Sequence, residues 1–309
     1  MKLRHALAVC LLLAPAGPAA ADEPAAARAA LGPVAWQELR FEAHKWLLSA
    51  GTVTRVELVP AETVALREAP GQTGTQPGGP LVALLVTESR LPFGRTESTR
   101  TWFDPVTGAA LQYEKLLAGR KPALRAGRYT TAGVHLWRVD PAGESEARQP
   151  PEAWTRRRDG HVVPQPALPL GERLVDSYAM LYLASAAGLE PGGEARFYNL
   201  SRDRLIELRL AARQPVERRV RYDESRSGVV RQRTAAVVVL PIEVSARPAG
   251  GGAGGDDVDL AFMGLRGALT IYIEVATGVP VAIVGRADKV GEVTVRLASV
   301  VLAPGAATP

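Results

Sequence analysis

The chain has 309 residues, a net charge of +5, 47% hydrophobic residues and 22% charged residues. These values are close to those of an average globular protein, so they exclude a disordered, collagen-like or disulfide-scaffold chain. The basic residues are 32 Arg and 5 Lys, an excess for which codon bias in this Ala-, Gly- and Pro-rich sequence is the simplest explanation.

The first segment, residues 1–21, is predicted to be a secretory signal peptide. Lys2 and Arg4 form a positive start, the apolar run 6–14 follows, and small residues lead to a cleavage site after Ala21. The apolar run is too short to span a bilayer, which needs about 20 residues. No later segment reaches that length, so we expect a periplasmic protein without a transmembrane segment.

Cleavage after Ala21 leaves residues 22–309, which are predicted to form a single exported domain. The loss of Lys2 and Arg4 leaves 35 basic and 32 acidic residues, a net charge of +3. Cys10 is removed with the signal peptide, and its place inside the apolar run argues against lipidation. The mature protein is therefore expected to have no disulfide, thiolate nucleophile or cysteine metal ligand.

The N-terminal part of the mature chain is predicted to consist of strands. Residues 34–50 and 52–59 form a hairpin that reverses at Gly51, since the second run mixes apolar and polar residues at period two. A short buried strand follows at residues 81–87. The segment 104–108, in which a proline follows an aspartate and a glycine closes the sequence, is predicted to be a hairpin turn.

Two stretches are predicted to be loops. Residues 141–173 are rich in proline and carry the triplet Arg156, Arg157 and Arg158. A structureless connection of this length is uncommon, so the segment is interpreted as a lid, an insertion or a disordered region. Residues 249–257 are rich in glycine and are predicted to be a flexible loop.

One helix is predicted, over residues 176–187. Asp176 is its N-cap and Gly188 its C′ residue. Apolar and aromatic side chains lie along one side at helical spacing, a pattern that favours packing on the sheet as part of the core. These side chains are Tyr178, Leu181 and Tyr182.

The C-terminal third is predicted to contain a three-stranded antiparallel meander. Apolar and polar residues alternate in the runs 270–275, 280–286 and 292–297. A buried strand precedes the meander at residues 237–244, where Pro241 suggests a sheet edge or a bulge. The mature chain as a whole is therefore predicted to be mainly β, with one helix.

Three stretches of the sequence resemble the exported bacterial family called domain of unknown function 3108. Residues 41–53 are similar to its first two strands, and residues 176–182, Asp-Ser-Tyr-Ala-Met-Leu-Tyr, are similar to its aspartate-led central helix. Residues 264–273, together with 278–281, are similar to its terminal strands. The resemblance covers most of residues 35–302.

The resemblance implies a periplasmic protein with a strongly curved antiparallel sheet, an open barrel or spiral, wrapped around one central helix. That shape is similar to the periplasmic lipoprotein carriers, which hold acyl chains in a half-closed barrel. The family has no established catalytic residues to transfer to this chain. The proline- and arginine-rich loop and the glycine tract depart from the family pattern, which puts a family-level pocket in doubt here.

No motif in the sequence identifies a catalytic or metal site. A Gly-x-Ser-x-Gly elbow is absent, and the glycines of residues 250–255 lack the Lys and Ser/Thr of a phosphate-binding loop. The aspartates of 256–259 are only a fragment of a calcium loop. His44, His135 and His161 lack the spacing of a zinc site. We therefore expect neither a metal nor a cofactor.

Five residues are predicted to line the concave face of the sheet and to bind an apolar ligand such as an acyl chain. An equally open interpretation places them in an ordinary core. They are Trp46, Leu48, Tyr178, Leu181 and Tyr182.

Two arginine clusters are candidate sites for anionic lipid headgroups or lipopolysaccharide phosphates, because a guanidinium grips phosphate with two hydrogen bonds. The alternative is a solvated, arginine-rich face. The clusters are Arg156, Arg157 and Arg158 in the first loop, and Arg219 and Arg221 in a strand-like run.

The sequence thus predicts a non-enzymatic protein of the cell envelope whose curved sheet binds an apolar ligand or an envelope partner. The alternative is a structural or interaction module with a filled core. A hydrolase is the weakest hypothesis, because no nucleophile and base can be paired.

Overall fold

The structure of the chain is a computed structural model in which one sheet of 16 strands dominates. The fold is mainly β and antiparallel with one buried helix, as predicted. The signal peptide with Cys10 and Ala21, and most of the glycine-rich loop, lie outside the described part. The described residues are 30–45, 48–119, 121–201, 203–250, 258, 260–288 and 290–306.

Eight strands form the first half of the sheet, each antiparallel to the next along the chain. They are β1 (Trp36–Lys45), β2 (Leu48–Pro60), β3 (Leu81–Leu91), β4 (Arg95–Phe103), β5 (Ala110–Ala118), β6 (Ala123–Thr130), β7 (Gly133–Asp140) and β8 (Arg156–Val162). The second half contains β9 (Glu194–Ser201), β10 (Arg204–Ala212), β11 (Val216–Arg226), β12 (Val229–Pro248), β13 (Ala261–Phe262), β14 (Leu265–Glu274), β15 (Pro280–Ala287) and β16 (Gly291–Leu302).

The helices are short. Asp176 is the predicted N-cap, since its carboxylate accepts a 2.9 Å hydrogen bond from the backbone N–H of Tyr178. Gly188 has a φ of 58°, the left-handed conformation expected of a C′ glycine. The helices are α1 (Glu144–Ala147), α2 (Met180–Ala186) and four 3₁₀ turns at Ala61–Thr63, Pro92–Gly94, Pro151–Ala153 and Ser177–Ala179.

Strand β16 joins the two halves of the sheet. It pairs antiparallel with β1 on one side, where Phe41 lies opposite Leu297, and with β15 on the other, where Ala282 lies opposite Arg296. Strands β14, β15 and β16 form the antiparallel meander that the alternating residues predict.

Strand β11 closes a circuit of five strands. It pairs antiparallel with β12 and, over Asp223–Ser225, parallel with β16. Because β12, β14, β15 and β16 also pair in succession, the five strands form a ring. The buried carboxylate of Glu274 in β14 links this ring internally: it accepts a 3.2 Å hydrogen bond from the Tyr222 hydroxyl of β11 and pairs with Arg233 of β12.

The segment before α2 connects β5, in the first half of the sheet, to β9 at one end of it. The carbonyl of Leu174 accepts a 2.8 Å hydrogen bond from Ala110 at the start of β5, and the N–H of Val175 donates to Tyr198 of β9 at 2.7 Å. A backbone segment hydrogen-bonded to both β5 and β9 requires these strands to approach each other. The sheet is therefore strongly curved.

Helix α2 fills the space that the curved sheet encloses. Leu181 and Leu183 are at most 1% exposed, and they belong to one core cluster with Trp36 and Phe41 of β1 and Ile271 of β14. We call the face of the sheet that carries Phe41 and contacts α2 the inner face. Burial of six of the seven α2 residues explains why so short a helix is stable.

Two predictions about strand geometry, a turn at Gly51 and a sheet edge or bulge at Pro241, differ from the structure. Gly51 does not reverse the first hairpin, because it lies inside β2 opposite Glu42, and the chain turns between Lys45 and Leu48. Pro241 is not at an edge of the sheet. It lies where β12 exchanges neighbours, after the last pair with β11 at Val239 and before the pairs with β10, so its missing N–H interrupts neither ladder.

The predicted loop 141–173 is partly ordered. It contains α1, a 3₁₀ turn and strand β8, which pairs with β7 from Asp140 opposite Arg156 to Val134 opposite Val162. Trp154 anchors the turn, since its indole N–H donates to the carbonyls of Glu146 and Gln149. The prediction of a lid or disordered segment is therefore wrong for this part.

A glycine on β6 makes room for an aromatic ring on the inner face. Gly127 lies opposite Tyr113, and a Cβ added there would stand 2.3 Å from the Tyr113 ring. We predict that Gly127→Ala lowers the free energy of unfolding by about 1–3 kcal/mol, because the ring must move. Chemical denaturation measures the change.

Gly160 is the matched control for this substitution. It is also a strand glycine with no positive φ, and among the described residues no atom outside its own chain neighbours lies within 4 Å of an added Cβ. Gly160→Ala should leave stability unchanged or raise it slightly. Equal losses for the two variants would show that ring displacement is not the cause.

Candidate functional site

An apolar cavity of about 100 Å³ opens at one end of the inner face. It lies between the β1–β2 hairpin and the meander of β14, β15 and β16. Phe41 and Val295 form its buried walls, and Ala43 is half-buried at its opening. We call it the apolar cavity. Its other apolar lining residues are Ala50, Leu91, Pro92, Met263, Leu265, Ala287, Val290 and Val293.

The helix residues predicted to bind a ligand belong to the core. Leu181 is 1% exposed and Tyr182 is 3% exposed. The Tyr182 ring packs edge-on against Phe103, with centroids 4.8 Å apart, and its hydroxyl donates to the carbonyl of Pro105 at 3.2 Å. Neither residue lines the apolar cavity, so the core interpretation holds for both.

The two predicted ligand residues near the hairpin reversal are not described. Trp46 and the side chain of Leu48 lie outside the described part of the chain. The backbone of Leu48 begins β2 opposite Lys45, which lines the apolar cavity. The prediction for Trp46 and Leu48 stays a prediction.

A buried polar cluster lies on the inner face beside the start of the helix. The Asp176 carboxylate accepts a 3.0 Å hydrogen bond from the Tyr129 hydroxyl as well as the bond from the Tyr178 N–H. The Lys115 ammonium donates to the Tyr178 hydroxyl at 2.8 Å and pairs with Glu97 at 2.5 Å. We call these five residues the helix anchor.

Burial shifts the pKa of several groups in the helix anchor. Desolvation raises the pKa of Asp176 to about 6, although the hydrogen bonds from Tyr178 and Tyr129 and the charge of Lys115 oppose the shift. Desolvation likewise raises the pKa of the Tyr129 hydroxyl and lowers the pKa of Lys115, where Glu97 opposes it. Shifted pKa values occur at catalytic sites and also in structural networks.

The contacts of the helix anchor are those of a structural network. Each member bonds to another member, and together they join β4, β5 and β6 to the N-terminus of the helix. Asp176 and Tyr129 are 2% and 5% exposed, so a substrate would not reach them without displacing the core. The sequence shows Asp176 as a cap, but its partners come from strands 47 or more residues away.

The structure places the predicted arginine clusters on two strands. Arg156, Arg157 and Arg158 lie exposed on β8 rather than in a loop. Arg219 and Arg221 are exposed on β11, and Arg221 lines a cavity of about 320 Å³ together with His44 of β1. Glu42 and Arg296 line the same cavity, so its charges are mixed.

Two of the three histidines of the predicted mature chain lie close together. His135 on β7 lies opposite His161 on β8, with ring centroids 6.5 Å apart. The His135 ring is buried against Trp137, and its nearest carboxylate, Asp159, is 3.8 Å away. Among the described residues, no group of three or more His, Cys, Asp or Glu side chains is arranged to hold a metal ion.

Comparison with known proteins gives one structural likeness. No family model and no curated protein matches the chain, so the resemblance to domain of unknown function 3108 stays a prediction. The chain is similar to the crystal structure of a beta-barrel-like protein of domain of unknown function DUF1849 from Brucella abortus. The TM-score is 0.42 at 9% identity, and the match covers 89% of this chain and 100% of that chain. None of the helices in the described residues has the length and apolarity required to cross a membrane.

The raised pKa of Asp176 predicts a pH-dependent stability. The folded protein binds the proton of the Asp176 carboxyl more tightly than the unfolded chain does. Proton binding by Asp176 therefore stabilises the fold fully below about pH 4, and this stabilisation is lost as the pH rises through about 6. Asp176→Asn cannot ionise, so its stability relative to the wild type should improve by about 2 kcal/mol between pH 4 and pH 7.5. Urea unfolding at the two pH values measures this change.

Asp104 is a control of opposite sign. Desolvation raises the pKa of this carboxyl, but backbone hydrogen bonds from Thr107, Gly78 and Val106 outweigh it and hold the pKa below its usual value. Its contribution is therefore present at neutral pH and is lost on acidification. The disadvantage of Asp104→Asn relative to the wild type should therefore be full at pH 7.5 and should shrink only below about pH 4, so it is measured by unfolding at about pH 2. A gain in relative stability between pH 4 and pH 7.5, as expected for Asp176→Asn, would contradict the assignment.

Proposed function

We propose that the chain is an exported, non-enzymatic protein of the bacterial envelope that binds the end of an acyl chain in the apolar cavity. The signal peptide is removed after Ala21, and the mature protein resides in the periplasm. The observation that carries the proposal is the apolar cavity itself, which opens to solvent beside the apolar core that surrounds α2.

The size of the apolar cavity limits what enters it. A volume of about 100 Å³ holds about three groups the size of a water molecule, at about 30 Å³ each. Three buried methylenes contribute about 2–3 kcal/mol of binding free energy. A cavity of about 780 Å³, which shares Phe41, Ala50 and Leu91 with the apolar cavity, adjoins it and is also lined by charged residues. Only the tail of a ligand is therefore enclosed in apolar surroundings, and the remainder lies in this wider, polar space or along the surface.

A charged group stands at the opening of the apolar cavity. Lys45 lines it, and its ammonium donates a hydrogen bond to the backbone carbonyl of Glu292. A cation at the rim of an apolar cavity suits an amphiphile whose other end is a carboxylate or phosphate. This supports a lipid-like ligand over a neutral hydrocarbon.

The filled interior favours a second candidate, an interaction module that binds no small ligand. All the α2 side chains except Ser185 are buried, so the helix occupies the concavity that a carrier would use for its cargo. Under this alternative, the apolar cavity is a packing defect at one end of the inner face. The ligand test below separates the two functions.

Filling the apolar cavity should abolish acyl binding. Ala43→Phe places a ring at its opening, so we predict that the affinity for a fluorescent fatty acid falls about 30- to 100-fold, the equivalent of the methylenes excluded. Titration of fluorescence gives the affinity. Native mass spectrometry of protein from the periplasm should show a lipid mass for the wild type only.

Ala236→Phe is the matched control. Ala236 is exposed on β12 and lines neither the apolar cavity nor the space that adjoins it, so this variant should bind like the wild type. Equal loss in both variants, or an apo mass with no fatty-acid uptake by the wild type, would refute the carrier function and favour the interaction module.

Export is tested separately. We predict that mature protein from the periplasmic fraction begins at Asp22, as N-terminal sequencing would show. Ala21→Asp should accumulate as uncleaved precursor, because the cleavage site requires small residues. Ala27→Asp, beyond the site, should be processed normally. Mature protein found only in the cytoplasm would disprove the localisation.

A further inference from the structure

The two strands that end the sheet differ in what covers their outer edges. Strand β9 is hydrogen-bonded on its outer side, since Val175 donates to Tyr198 and Leu174 bridges the same residue. Strand β8 pairs with β7 only. In the described part of the chain, no other backbone hydrogen bond reaches residues 156–162. An open edge presents a row of N–H and C=O groups on which another strand can add.

The start of the open edge of β8 is basic. Arg156, Arg157 and Arg158 are exposed there. Arg158 pairs with Asp140 at 3.2 Å, but Asp140 also binds Arg138 at 2.7 Å, and the Arg138 hydrogen bond holds the pKa of this carboxyl below its usual value. Hydrogen bonds from Ala142 and Thr155 and the charge of Arg156 lower the pKa of Glu146, and Asp159 follows on β8 itself, so the positive charge is concentrated at residues 156–158.

This charge selects the kind of strand that can add to β8. A second copy of β8 paired antiparallel over residues 156–162 would set Arg156 opposite Val162 and Arg158 opposite Gly160, so these arginines would gain no carboxylate partner. It would also set Asp159 opposite its own copy, and like charges on paired strands are destabilising. A strand that carries carboxylates would instead be attracted to the arginines of β8. Arg156 and Arg158 project from one face of β8 and Arg157 from the other, because side chains alternate along a strand. Three consecutive acidic residues would therefore meet an arginine on each face in turn.

We propose that β8 is a docking edge for an extended acidic segment of a partner protein, which adds to the sheet as a further strand. Main-chain hydrogen bonds along residues 156–162 supply affinity, and the three arginines select carboxylates. This surface is separate from the apolar cavity, which lies against β1, β2 and β14–β16.

Synthetic peptides test the proposal on the unmodified protein. A labelled seven-residue peptide with three consecutive Glu flanked by Val and Thr should bind in fluorescence anisotropy at low salt, and its Lys counterpart should not. Two further peptides have the same sequence with N-methyl groups on alternate residues. In one peptide the methyl groups block the N–H groups of one strand edge, and in the other they block those of the opposite edge. Strand addition uses one peptide edge, so one methylated peptide should lose binding and the other should keep it.

Charge reversal tests the location. Arg156→Glu with Arg158→Glu should weaken binding of the Glu peptide by about tenfold or more. The matched control is Arg90→Glu with Arg100→Glu, because these arginines are also exposed but lie on β3 and β4, whose two edges are both paired. The control should bind like the wild type, with circular dichroism confirming that both variants fold.

Three results would overturn the proposal. Equal binding of both methylated peptides would show charge attraction without a strand, and equal weakening by the two double variants would show a diffuse basic surface. Binding to phosphatidylglycerol vesicles that depends on Arg156 and Arg158, without binding of the Glu peptide, would assign the edge to a membrane surface instead.

Discussion

The enclosure of helix α2 by one curved sheet is the constraint on which the rest of the structure depends. A helix of seven residues is not stable alone, so it must be buried and held at its N-terminus. The sheet supplies the apolar cluster around Leu181 and Leu183, and the helix anchor supplies the partners of Asp176. Both require the two halves of the sheet to curve toward each other, and this leaves the apolar cavity only at the margin.

Much of the fold could be predicted because local signals and burial agree. The meander β14–β16 alternates apolar and polar residues, the 3₁₀ turn Ser177–Ala179 that leads into α2 has an Asp cap, and Gly188 follows the end of α2. Strand β8 could not be predicted by the same means. Its sequence, Arg-Arg-Arg-Asp-Gly-His-Val, has no apolar face because the strand is largely exposed, so nothing distinguishes it from a polar loop.

The candidate site was less predictable from the sequence, because the residues that form it are far apart along the chain. The side of α2 that carries Tyr178 and Leu181 looks the same in sequence whether it meets a ligand or a sheet. The helix anchor joins Asp176 to Tyr129 and Tyr178 to Lys115, pairs that are 47 and 63 residues apart. The apolar cavity likewise combines β1 with β14–β16, and only the pairing of β1 with β16 brings them together.

That pairing also orders the events of folding. The second edge of β1 is completed only by β16, and β11 finds its parallel partner in the same strand, so the contacts with the longest sequence separation depend on the last strand described. Such a topology has a high contact order and folds slowly. Until β16 arrives, β1 and β11 expose hydrogen-bonding edges to solvent. While the chain is being synthesised, these edges therefore stay exposed until β16 has been made. In that state the chain can be translocated through a membrane pore or bound by a chaperone.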